Sequence, residues 1–150
     1  MAQIEGNPTY IPASEFKPKI ERCLKLLANK AGQYSTWFNS YNLKIRAASK
    51  SGANFQDDAI DIARATFDAS DTWLASVIIH ESIHFWQWRS GKYKAGTPAE
   101  LEANRYQLGV LQLVEAPKSE ISHMLKQDGG HADLNGDGFY DEKDYALRGY

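Results

Sequence analysis

The stretch His80-Glu81-Ser82-Ile83-His84 lies inside a run of apolar residues that includes Trp73, Leu74, Val77, Ile78, Ile79, Phe85 and Trp86. On a helix, residues four apart share one face, so both imidazoles can reach a single metal ion. Glu81 is rotated by about 100° from His80, too far to act as an equivalent ligand but placed to contact a water on that ion. At this chain's own His and Glu frequencies, chance yields such a pattern in roughly six of a thousand sequences. Two imidazoles and a carboxylate on so apolar a helix would otherwise need costly buried partners. The pattern is therefore read as a metal site, zinc by ligand type, which requires a third protein ligand and an open position.

After fifteen intervening residues His84 is followed by Glu100-Leu101-Glu102-Ala103-Asn104. HExxH followed by a helix reading ExEAN resembles the gluzincin metallopeptidases, in particular their compact bacterial families. The resemblance covers two helices, about residues 71–115, and does not reach the first 55 residues. It implies a zincin-like fold, a catalytic zinc ion, peptide or protein substrates, and Glu100 as the third ligand beside His80 and His84.

Helix geometry separates the two glutamates independently. With Glu100 at zero, Leu111 falls at about 20°, Asn104 at about 40° and Val114 at about 320°, whereas Glu102 falls at about 200° beside Gly109 and Arg105. Glu100 thus points from the centre of the apolar face and Glu102 from a solvated one. Glu100 also stands three residues after Thr97, the spacing of a capping box, but a cap needs no place on the apolar face. Asn104, one turn beyond Glu100, is positioned to hydrogen-bond the distal nitrogen of a ligating histidine. Many relatives carry Asp there, and the neutral Asn polarises a histidine less.

The expected chemistry follows. A zinc ion on His80, His84 and Glu100 lowers the pKa of a bound water towards about 7. Glu81 acts as general base on that water and returns the proton to the leaving amine. Tyr93, Tyr106, His123 and His131 are the candidates for a further donor to the oxyanion.

A second metal motif closes the chain. Residues 133–144 read DLNGDGFYDEKD, which places Asp133, Asn135, Asp137, the Phe139 carbonyl, Asp141 and Asp144 at the ligand positions of an EF-hand loop, with Gly138 at the sharp turn. Oxygen-rich, closely spaced ligands suit Ca²⁺. The DLNGDG wording resembles dockerin-type loops, which also use Asp in the last position. Dockerins carry two such segments and this chain one, so a cohesin-type partner is not implied. The loop is read as a structural Ca²⁺ site that ties down the C-terminus.

The elements that must position these groups are mainly helical. Phe16, Ile20, Leu24 and Leu27 recur at helical spacing, with Ser14 as the expected cap and Pro18 in the first turn. Residues 33–42 show no period, and 49–54 (SKSGAN) read as turn material. From Ala59 to Phe67 the alternation predicts a half-buried strand, expected to be the edge strand that aligns an extended peptide. Asp71 is the expected cap of the metal helix, which runs to about Trp88. Thr97 and Pro98 open the next helix, and Pro117 starts a shorter one. The fold class is α+β, mainly helical: a minimal zincin-like arrangement of a small sheet on the HExxH helix, within one domain over residues 1–150.

Composition excludes several other classes. The 150 residues hold 17 Lys+Arg against 19 Asp+Glu, a formal charge of −2 that gives no simple case for nucleic-acid binding. One cysteine, Cys23, rules out an intrachain disulfide framework and is read as core. No apolar run reaches the roughly 18–20 residues of a membrane span. A basic, apolar leader is not visible at the start. That absence favours the cytoplasm and a Ca²⁺ loop favours the extracellular side; export without a cleaved signal would reconcile them. The alternatives to a metallopeptidase are a related amidase or toxin acting on one partner or a cell-wall peptide, and a non-catalytic calcium-dependent binding module.

Overall fold

A computed structural model describes residues 2–92 and 96–127. In chain order the elements are β1 (Gln3–Glu5), α1 (Ala13–Lys30), α2 (Gly32–Asn39), β2 (Lys44–Ala47), β3 (Gly52–Asn54), β4 (Ala59–Ile62), α3 (Arg64–Phe67), α4 (Asp71–Ser90), α5 (Thr97–Leu113) and α6 (Lys118–Leu125). The described chain is mainly helical with one small sheet, an α+β arrangement.

The sheet has the order β1-β2-β4-β3. The first three of these strands run parallel and β3 runs antiparallel to β4. Ile45 of β2 stands opposite Ile60 of β4, and Ala47 opposite Ile62, all buried. On the other face Arg46 stands opposite Asp61 and donates to it at 2.6 Å. This alternation of apolar and charged pairs pins the register, because a one-residue slip would turn Ile45 and Ile60 outward.

Helix α1 lays Phe16, Ile20, Cys23 and Leu27 into the core. Cys23 is fully buried, and burial pushes its thiol up to about 12, which makes it an unreactive packing group. Helix α4 buries residues on nearly every side, from Leu74 and Ile78 to Ile83 and Phe85. Its packing against α5 is the most extensive between any two described elements, with α1 on another flank. At its start Ser70 accepts from the Trp73 N–H, and Gly91 ends it in the left-handed region at φ 71°. Glu120 of α6 accepts from Ser70 and Thr72 and ties the start of α4 to the last described helix.

Several expectations change at this level. The cap of α4 is Ser70, and Asp71 instead pairs with Arg22. Helix α1 begins one residue before Ser14, so Pro18 lies in its second turn, where Ser14 is exposed and water can serve its carbonyl. Residues 33–42, which lack a period, lie largely in α2; that helix is only eight residues long and buries Phe38 alone, too few positions to display one. Strand β4 ends at Ile62, and Arg64–Phe67 forms α3. Most consequentially, β4 is an interior strand flanked by β2 and β3, not an edge. The edges are β1 and β3, the latter three small or polar residues within the segment read as a turn. Trp73 and Trp86 are half-buried, but Trp88 is 45% exposed, because the end of α4 runs past the core; its ring stacks on Phe55.

A Cβ on Gly6 would run into the Ala13 backbone, where the chain turns from β1 into α1. Backbone cannot yield as a side chain can. Gly6→Ala should therefore lower stability by about 1–3 kcal/mol, read as a lower urea midpoint at unchanged m-value.

Candidate metal centre

Helices α4 and α5 bring together the three residues expected to ligate metal. His80 Nε2 lies 3.1 Å from Glu100 Oε2, and His84 Nε2 lies 3.0 Å from Glu100 Oε1. The two Nε2 atoms are 3.2 Å apart. The side chains are 10%, 13% and 17% exposed for His80, His84 and Glu100. Among the described residues this is the group of three or more metal-ligating side chains whose donor atoms converge.

The donor spacing tests whether an ion fits. Ligands at the usual zinc distances on a tetrahedron are about 3.3 Å apart, and the three separations observed lie just below that. Small movements of three side chains would admit the ion. Among the described residues His80 Nδ1 has no hydrogen-bond partner.

Without metal His84 holds a proton. Burial opposes charge on His84, but the Glu100 hydrogen bond and carboxylate, then Glu81 and Gln87, outweigh it and push the imidazole up to about 9. Glu81 is half-buried on the flank of α4 next to the histidines, as its rotation on the helix requires.

Glu100 and Glu102 are separated as expected in one respect and not in the other. Glu100 faces the histidines. Glu102 is not solvated, being only 11% exposed, and it accepts from Lys92 at 2.6 Å and from Gln87 at 3.1 Å. Helical angle alone misplaces it because the first turn of α5 lies along the last turn of α4, which covers the opposite face as well. Burial opposes its charge, and Lys92 and Gln87 together hold its carboxyl below the usual range. Thr97 is the first helical residue and makes no capping bond, so no capping box competes for Glu100.

Asn104 is buried one turn beyond Glu100, yet among the described residues its Nδ2 has no hydrogen-bond partner. The distal nitrogen that does have one belongs to His84, and the partner is Gln87, with Oε1 at 2.8 Å from Nδ1. Gln87 carried no sequence signal beyond standing three residues after His84 on one helical face.

Of the oxyanion candidates, Tyr106 packs edge-on against Tyr34. His123 packs against Trp73, whose position on α4 is about 10 Å of helix rise before His80. It belongs to a groove with Ser70 and Glu120 at the far end of the helix. Tyr93 and His131 lie outside the described residues, as does the whole calcium loop with Asp133, Asn135, Asp137, Phe139, Asp141 and Asp144.

The ligand assignment has a direct check. Glu100→Ala should weaken metal binding by more than the roughly 10–100-fold typical of losing a ligand's outer partner. Glu102→Ala, which keeps all three donors, should weaken it less. Equilibrium dialysis with elemental analysis ranks the two.

No described helix is long and apolar enough to cross a membrane. No protein-family model, curated protein or solved structure matches the chain.

Proposed function

We propose that this protein is a zinc-dependent metallopeptidase of the gluzincin type on a minimal zincin-like fold. The observation that carries the reading is the convergence of His80 Nε2, His84 Nε2 and the Glu100 carboxylate within hydrogen-bond distance of one another, with Glu81 beside them on the same helix. These residues would hold the ion, and zinc bound there supplies an activated water and polarises a substrate carbonyl. Glu81 then takes a proton from the attacking water and delivers it to the leaving amine. Its half-buried position leaves it open to water while keeping it close to the ligands.

The sheet supports the same reading in its corrected form. Among the described residues β3 pairs with β4 on one side and with no strand on the other, so an extended peptide can pair with it by backbone hydrogen bonds. Phe55, directly after β3, stacks on Trp88, one turn beyond His84 on the ligand-bearing face of α4. The edge strand and the metal helix are thus clamped together where a substrate would lie.

An unbiased peptide-library cleavage assay tests the proposal, with metal content measured in parallel and Glu81→Gln as control. Zinc-dependent cleavage that is lost in the control is expected. Zinc-loaded protein that cleaves no peptide, or equal cleavage by Glu81→Gln, would overturn it.

A further inference from the structure

Behind His84 lies a chain of side chains that takes no part in ligation. Gln87 Oε1 is 2.8 Å from His84 Nδ1, while Gln87 Nε2 donates to the Ala99 carbonyl at 2.9 Å and to Glu102 Oε1 at 3.1 Å. Glu102 in turn accepts from Lys92, whose ammonium also sits over the Trp86 ring. Gln87 is almost wholly buried.

The polarity of this chain is fixed by its ends. The Ala99 carbonyl and an ionised Glu102 can only accept, so the nitrogen of the Gln87 amide must face them. The amide oxygen therefore faces His84, and it too can only accept. His84 must then carry a proton on Nδ1. A neutral imidazole with its proton on Nδ1 has its lone pair on Nε2, the atom 3.0 Å from Glu100 and 3.2 Å from His80 Nε2. Among the described residues His80 has no such partner on its own Nδ1. The two histidines are thus unequal: one is oriented by a buried relay and the other is left to the ion.

We propose that Gln87, held by Glu102 and the Ala99 carbonyl, is a positioning residue that keeps the His84 proton on Nδ1 and its Nε2 bare towards the metal centre. The inference rests on the metal-site reading above. It assigns Glu102, the second glutamate of the Glu100–Asn104 segment, a purpose distinct from ligation: it orients the amide that orients the ligand. Lys92 keeps that carboxylate ionised, so the relay extends from the end of α4 back to its ligand-bearing turn.

Two variants and two readouts test it. Gln87→Leu removes the acceptor towards His84. The double variant Gln87→Glu/Glu102→Gln keeps an acceptor there and exchanges donor and acceptor between the two positions. Both take the Gln87 donor away from the Ala99 carbonyl, so their difference isolates the acceptor to His84. Zinc affinity is measured by competition with a chromogenic chelator, and the His84 tautomer by ¹⁵N NMR of the imidazole. Gln87→Leu should bind zinc about 10–100-fold more weakly, with most of the loss recovered in the double variant. Wild-type affinity in Gln87→Leu, or a loss of the same size in both variants, would overturn the proposal. Should the wild type bind no zinc, the metal-site reading fails, and the metal-free NMR at alkaline pH still decides the relay. A proton on Nδ1 in the wild type that redistributes in Gln87→Leu supports it, and a proton on Nε2 in the wild type overturns it.

Discussion

Glu81→Gln should cut peptide hydrolysis by roughly 10²–10⁴-fold, the range contributed by a positioned general base, while zinc content stays stoichiometric. The substitution keeps the shape of the side chain and removes its ability to accept a proton. None of the three converging donors belongs to Glu81, so the ligand set is intact in the variant. Losing the Glu81 charge takes away one of the influences that raise the His84 pKa, so the metal competes with a proton held slightly less firmly. The same charge also attracts the ion, so zinc affinity should stay close to that of the wild type. Kinetically, the loss should fall on kcat and kcat/KM together with little change in KM, because the proton transfer exists only in the transition state. A variant that retains wild-type kcat would remove Glu81 from the mechanism. One that loses zinc would instead give it a structural duty.

The second large effect concerns pH. In the metal-free protein the His84 imidazole is raised to about 9 from an ordinary value of 6.5, chiefly because Glu100 outweighs the cost of burial. A metal ion must displace that proton. Its apparent affinity should rise about tenfold for each pH unit from about 6.5 upward and level off near pH 9. The stability of the metal-free protein runs the other way. A group whose folded pKa lies above its unfolded value stabilises fully below the unfolded pKa and loses that contribution as pH rises through the folded one. The chelated protein should therefore lose stability between about pH 6.5 and pH 9, while in the zinc-loaded protein the rising affinity offsets that loss and stability stays level over the same interval. Thermal midpoints at pH 6, 7.5 and 9, with and without chelator, check both slopes. Parallel slopes in the two forms would show that His84 does not carry the linked proton.

The three converging donors were legible in sequence because a helix converts spacing into direction. His80, His84 and Glu100 needed only the 100° step and an apolar face to be placed, and both helices hold to that geometry. Glu102 shows where the same reasoning stops. Its angle on α5 is as calculated, but what covers that angle depends on where α4 crosses, which no periodicity within one helix records. Gln87 was missed for the same reason: its partners, Ala99 and Glu102, lie on another element. The sheet was the least legible part. Strand β4 announced itself through Ile60 and Ile62, but β3 is three residues of Gly, Ala and Asn, with no alternation to read. Its status as a strand comes wholly from the register against β4, and with it the identity of the open edge.

For the proposed peptidase, that brevity has a consequence for turnover. A three-residue edge offers an incoming chain only a few backbone hydrogen bonds, each worth about 0.5–1.5 kcal/mol net. Such an edge can hold a peptide in line for one cleavage and let the fragments go, since once the chain is cut neither half keeps the full set. The same shortness protects the protein from itself. Long, flat edges recruit further copies into growing sheets, and short ones do not. A sheet of this size can lend its border to passing chains without being captured by them.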